Sequence, residues 1–274
     1  MNVKKTVAYI VMALIAVIFL FPLLWSLVSS LKPEAKIMSY PPKWIDRFTL
    51  INYETVLDKY PYLGWMGNSI IITVLSTIVV LVLAAPAAYA FGRLQFRGKK
   101  VIFSAIVSML LVPIQAYIVP LFLLVSELGI YNTFAALILV AGANVTSVFI
   151  LTSFFRGIPK ELEEAARIDG CSDYRIFGQI MLPLIKPALS TVTILTFIAN
   201  WNNFLWPMVA IRDNALKPLT VGIAQFLGGA NSTAQFQYGT SLAAACMAII
   251  PSVIVFLLLQ RYFVEGITNS GIKG

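Results

Sequence analysis

Asn200, Asn202 and Asn203 stand together inside a long apolar stretch of this chain, and Asn144 lies within another. An amide sets a donor beside an acceptor, the pairing that a polar hydroxylated solute requires, and Trp201 and Trp206 offer flat faces to a ring. Amides also glue helices together and indoles also populate interface belts, so both uses stand open from the residues alone. Groups for bond-breaking chemistry are scarce. His is absent, and the two lone cysteines, Cys171 and Cys246, offer neither a zinc site nor a disulfide framework. A nucleotide cradle needs G-x-x-x-x-G-K-[ST]; at the single Gly-Lys pair, Gly98-Lys99, Gly92 is one residue too far upstream and Lys100 stands where a hydroxyl would hold magnesium. No catalytic residue, no metal ligand and no cofactor of its own are therefore expected.

These amides must be positioned by membrane helices. Of 274 residues 59% are hydrophobic and only 12% charged, with a mean hydropathy of +0.86, against about 25% charged residues in soluble domains. A bilayer core of about 30 Å needs roughly 20 apolar helical residues. Six charge-free runs reach that length: 7–31, 66–92, 101–126, 134–155, 188–211 and 240–260. The first follows Met-Asn-Val-Lys-Lys and exceeds the apolar core of a secretory signal, about 7–15 residues, which predicts an uncleaved helix. Counted from Ala188 at 1.5 Å per residue, Asn200 to Asn203 fall roughly 18–22 Å along the fifth run, at or beyond mid-membrane.

The net charge of +8 is spread over short loops rather than gathered on one face, which argues against nucleic acid. With the N-terminus inside, 13 of the 20 Lys and Arg fall in cytoplasmic segments, giving +7 inside and +1 outside. That asymmetry orients helices, because basic residues near their ends stay cytoplasmic, and it predicts both termini inside. None of the six runs carries a charged residue, which weighs against a proton- or sodium-coupled carrier, although carbonyls of broken helices can bind sodium. Residues 1–65 are expected to form a first helix with an extracytoplasmic loop, 66–264 the core of membrane helices and 265–274 a cytoplasmic tail.

One cytoplasmic segment is long and patterned. Residues 156–187 read RGIPKELEEAARIDGCSDYRIFGQIMLPLIKP, too polar for lipid. Pro159 suits a first helical turn, Glu161, Glu163 and Glu164 sit at its positive end, and Gly170 suits a left-handed cap. Ser172 can cap a second helix with Ile176, Ile180 and Leu184 on one face, until Pro183 and Pro187 constrain it. The expectation is a helix-turn-helix elbow joining the fourth and fifth spans.

Here the chain resembles a known family. Glu164-Ala165-Ala166, three residues, Gly170, nine residues and then Ile180-Met181-Leu182-Pro183 match the EAA-x3-G-x9-I-x-L-P signature of permease subunits in bacterial binding-protein-dependent ABC importers. Residues 200–207, NWNNFLWP, and the tail 266–274, GITNSGIKG, make it similar to the smaller maltose-type permease of the carbohydrate branch. The resemblance implies an all-α integral membrane protein of six transmembrane helices with an EAA coupling elbow between helices 4 and 5. It implies that Glu164, Ala165, Ala166, Asp169 and Gly170 dock into an ATPase subunit, and that Gly271, Lys273 and Gly274 reach the ATPase pair. It implies as partners a homologous second permease, two ATPase subunits carrying ATP and magnesium, an extracytoplasmic substrate-binding protein and the bilayer. Asn144, Asn200 and Asn203 would line the path. Gln225, Phe226 and Gly228 of the outer stretch 212–239 would touch the binding protein, although an ordinary solvated loop fits them as well. An ion-coupled secondary transporter, a noncatalytic membrane scaffold and a permease for a non-sugar solute are the alternatives.

Overall fold

The computed structural model describes residues 3–41, 47–227 and 237–271. These form helices and turns, with no strand among the described residues. In chain order the helices are α1 (Val3–Ser30), α2 (Glu34–Ile37), α3 (Ile51–Lys59), α4 (Tyr62–Gly92), α5 (Lys99–Ser108, tightening over Met109–Leu111) and α6 (Ile114–Glu127). They continue as α7 (Phe134–Gly142), α8 (Val145–Gly157), α9 (Glu161–Ile168) and α10 (Asp173–Arg175), then a wide π-turn over Ile176–Met181. The last are α11 (Leu182–Leu184), α12 (Lys186–Trp201), α13 (Leu205–Ala210), α14 (Leu219–Leu227) and α15 (Tyr238–Gly271).

Among the described residues, four helical segments are long and apolar enough to cross a bilayer: 5–30, 62–92, 134–157 and 238–258. Two bent pairs, α5 with α6 at 107° and α10–α11 with α12 at 76°, bring the number to as many as six if each is one span. The expected third run is thus not a straight helix, and the expected fifth begins just after a bend. Val112 is extended, at φ −92° and ψ 113°, because the ring of Pro113 disfavours helical geometry in the residue before it. Pro187 breaks the chain before α12: it lacks an N–H, and its ring would collide with the carbonyl of Pro183 in a continuous helix. The fifth run ends early as well, since α12 stops at Trp201 and α13 begins at Leu205.

The described residues of 1–66 and 221–251 form one compact unit. Polar staples hold it. The Asn52 amide donates to the carbonyls of Ser30 (2.7 Å) and Lys32 (2.8 Å). The Glu34 carboxylate accepts from the first amides of α15, Tyr238 (2.6 Å) and Gly239 (2.7 Å), where the helix dipole favours negative charge. By contrast, the apolar side chains of α1 from Val7 to Leu27 stay about half exposed, a surface suited to lipid or to helices of another chain.

The described residues of 67–220 and 252–271 form the second unit. Its main core joins Val80, Ala84, Ala88 and Tyr89 of α4 to Leu151 and Phe155 of α8 and to Ala188 and Val192 of α12. Ala166, Ile176, Met181 and Ile185 complete it, so the inner face of the elbow belongs to the same packed cluster. A second cluster gathers Ile72, Val125, Ala136, Leu137, Trp206 and Ala210.

Candidate functional site

The elbow begins where α8 ends. Ile158 is extended ahead of Pro159, as a residue before proline must be, and α9 follows with three carboxylates in its first turn. Its C-terminus is a complete Schellman cap. The Gly170 N–H reaches the Arg167 carbonyl (3.0 Å), the Cys171 N–H reaches Ala166 (2.9 Å), and Gly170 takes the left-handed φ of +77°. Ser172 Oγ then accepts from the Arg175 amide at 3.4 Å, as expected of a cap. The next helix is not regular α: it widens over Ile176–Met181, which buries Ile176 and Met181 and sets Phe177 against Tyr89, ring centroids 5.2 Å apart.

What fastens the elbow is Arg93, directly after α4. Its Nε donates to Glu163 Oε1 at 2.9 Å, with the two side chains only 4% and 12% exposed. Nη1 reaches the Ile158 carbonyl at 2.7 Å and Phe155 at 3.4 Å, and Nη2 reaches Pro159 at 3.3 Å. A planar guanidinium thus ties one carboxylate of α9 to the carbonyls of the turn that joins α8 to α9. The sequence offered no sign of this pairing, 70 residues apart. The Arg167–Asp173 ion pair at 2.6 Å is half exposed and contributes at most about 1 kcal/mol.

Gly92 brings α4 and α8 close enough for this. A Cβ there would lie 2.8 Å from the Phe155 Cβ, an atom tied to its own backbone. Gly92→Ala is therefore expected to push α8 away and to cost about 1–3 kcal/mol, seen as a lowered melting temperature of the detergent-solubilised assembly. An unchanged melt would show that the contact relaxes freely.

The expected docking residues divide into two groups. Glu164, Ala165, Asp169 and Gly170 are exposed, while Ala166 is buried at 6% in the core cluster. Ala166 therefore holds the elbow to the helices instead of offering surface. Beside the exposed group stand Ile168 (86% exposed) and Tyr174 (90%), with Leu162 (43%). Sequence reasoning passed over Ile168 and Tyr174; two large apolar side chains in an otherwise charged loop were the signal available.

Asn200 and Asn203 do come together. With Ser69, Thr73 and Ser76 they line a chamber of about 20 Å³, room for one water. Ser76 Oγ is buried there with no partner. Asn144 is used differently. Its Oδ1 accepts from the Ser147 amide at 2.8 Å and caps α8 at a break in the fourth span. Asn202 donates to the Ile198 carbonyl at 2.9 Å. The tryptophans are not sugar platforms: Trp201 is buried and stacked on Phe197 (6.0 Å, 7°), and Trp206 is buried and donates Nε1–H to the Ala136 carbonyl at 3.1 Å. Among the outer residues Gln225 is exposed, but Phe226 is 5% exposed, packed edge-on against Tyr60 at 4.4 Å and near Trp65. It is core, not contact surface. Gly228, Lys273 and Gly274 lie outside the described residues, and Gly271 is the last residue of α15.

The geometry is that of an exposed helix-turn-helix elbow rooted in the packed core of a multi-helix membrane protein. Residues 81–269 match the family described as binding-protein-dependent transport system inner membrane component, and the chain belongs to it. It is 37% identical to the arabinooligosaccharides transport system permease protein AraQ of Halalkalibacterium halodurans, over 96% of this chain and 94% of that protein. It is 34% identical to the trehalose/maltose transport system permease protein MalG of Thermococcus litoralis, over 99% and 98%. A chain in the crystal structure of a bacterial ABC transporter that imports the acidic polysaccharide alginate superposes with a TM-score of 0.82 at 27% identity, covering 96% of this chain and 97% of that one. The protein is a multi-pass permease subunit of a binding-protein-dependent ABC importer, not an enzyme. In such importers the permease works with a second permease, an ATPase and a substrate-binding protein.

Proposed function

We propose that this permease forms half of the translocation path for a sugar, most naturally an oligosaccharide, and couples it to ATP hydrolysis through the elbow. The relatives named for arabinooligosaccharides and for trehalose or maltose support the substrate class, and Asn200 and Asn203 carry amides of the right chemistry around a chamber that in this conformation holds only one water. The observation that carries the coupling role is the exposed strip of Glu164, Ala165, Ile168, Asp169, Gly170 and Tyr174 on a loop whose other face is core. Apolar side chains framed by carboxylates and small residues suit a cleft with basic walls on an ATPase subunit. The homologous second permease completes the path, and two ATPase subunits bind ATP and magnesium. The charge asymmetry supports six spans with both termini cytoplasmic.

The test is uptake of labelled arabino-, malto- and chito-oligosaccharides and of a non-sugar control into proteoliposomes holding the complete importer. Uptake of one oligosaccharide class that requires ATP and the binding protein is the expected result. ATP-driven uptake of the non-sugar alone would overturn the substrate class, and uptake following an ion gradient without ATP would overturn the coupling role.

A further inference from the structure

Next to the Arg93 anchor lies a cavity of about 800 Å³ that the transport reading leaves unused, a volume in the range of small-ligand sites. Gln95, Lys99, Lys100, Phe103, Ser104 and Arg156 are on its wall, and among the described residues no carboxylate is. The polar partners of its cations are neutral. Lys99 Nζ donates to the Leu94 carbonyl at 2.7 Å, and Arg156 reaches the Phe91 carbonyl at 3.5 Å while lying 4.8 Å over the Phe103 ring. Lys99 also feels the like charges of Arg156, Arg93 and Lys160. Arg93 is balanced by Glu163, whereas the cavity wall sets Lys99, Lys100 and Arg156 together with no carboxylate beside them among the described residues.

We propose that this cavity seats the phosphate headgroup of an anionic phospholipid. The phosphodiester would accept from Lys99, Lys100 and Arg156, with Gln95 and Ser104 as neutral donors. Val101 and Ile102, 74% and 46% exposed, open the apolar surface of α5 directly beside the cations, so acyl chains have a hydrocarbon face to follow. Basic pockets between membrane helices take such headgroups. The Gly98-Lys99-Lys100 sequence that fails as a nucleotide cradle is part of this wall. The proposal does not depend on the substrate or on which membrane face the cavity opens to.

The complete importer, reconstituted in mixed phosphatidylcholine and phosphatidylglycerol and re-extracted in mild detergent, is examined by native mass spectrometry for retained lipid. The native complex is expected to keep phosphatidylglycerol in preference to phosphatidylcholine. Retention falls roughly fivefold for each cation removed in Lys100→Gln and Arg156→Gln, and Arg97→Gln, outside the cavity, leaves it unchanged. Lys100 is exposed, so its variant reads the cavity even where Arg156→Gln disturbs packing. Equal retention of both lipids, or unchanged phosphatidylglycerol in the double variant, overturns the proposal. So does loss of the ATPase subunit from Lys100→Gln with lipid retained, which makes the cavity a protein contact. Displacement of the lipid by soluble glycerol phosphate at similar affinity makes it a free-phosphate site and overturns it too.

Discussion

Replacing Arg93 by methionine is expected to lower the stability of the assembly by about 3–5 kcal/mol, the cost of leaving one buried partner of an ion pair alone, and to uncouple uptake from ATP hydrolysis. Glu163 would keep its charge at 12% exposure with no counter-charge, and the carbonyls of Ile158 and Pro159 would lose their donor. The double variant Arg93→Met with Glu163→Met separates the two effects. Both charges are gone, so much of the stability returns, but the carbonyl ties do not, and uptake stays low. Arg93→Lys is expected to keep the charge and lose the fork, giving intermediate uptake. Thermal melts and ATP-driven uptake on the same preparations check this. Native uptake per ATP in Arg93→Met would remove Arg93 from the coupling.

The second large effect is expected at the exposed strip. Gly170→Asp and Glu164→Lys should each reduce ATP-driven uptake by about 30-fold while the permease pair still assembles, the size of losing about 2 kcal/mol at an interface hot spot. Within this chain Glu164 is exposed, so its replacement disturbs little packing. A Cβ on Gly170 meets nothing within 4 Å, so its internal cost is the left-handed strain of about 1–2 kcal/mol at φ +77°. Gly170→Asn removes most of that strain, because Asn tolerates this conformation: it should melt close to native and still transport poorly. Co-purification of the ATPase subunit supplies the second readout. Full transport by Gly170→Asp and Glu164→Lys would refute docking at this strip.

Local chemistry explains which of these features the sequence made legible. The Schellman cap at Gly170, the Ser172 cap and the proline break before α12 each depend on a few adjacent residues, and each is present as expected. Apolar run length found the membrane segments for the same reason, although it could not see that Pro113 turns α5 and α6 through 107°. Long-range pairing was not legible. Arg93 read as one more basic loop residue, and only the fold brings it to Glu163. Composition also misled where one residue type serves two ends. Trp206 and Phe226 have the chemistry of recognition and are buried in packing, and Asn144 also serves as a helix cap.

The bend between α11 and α12 has a mechanical meaning. Two stiff arms meet at 76° around Ile185, itself buried at 2%. A thrust along the shorter arm therefore reaches the longer one mostly as torque, with little of it directed along its axis. The arm that receives it runs from Lys186 to Trp201, about 24 Å at helical rise, and Asn200 is one residue from its tip. The joint has the geometry of a crank, with the amides at the far end of its longer arm.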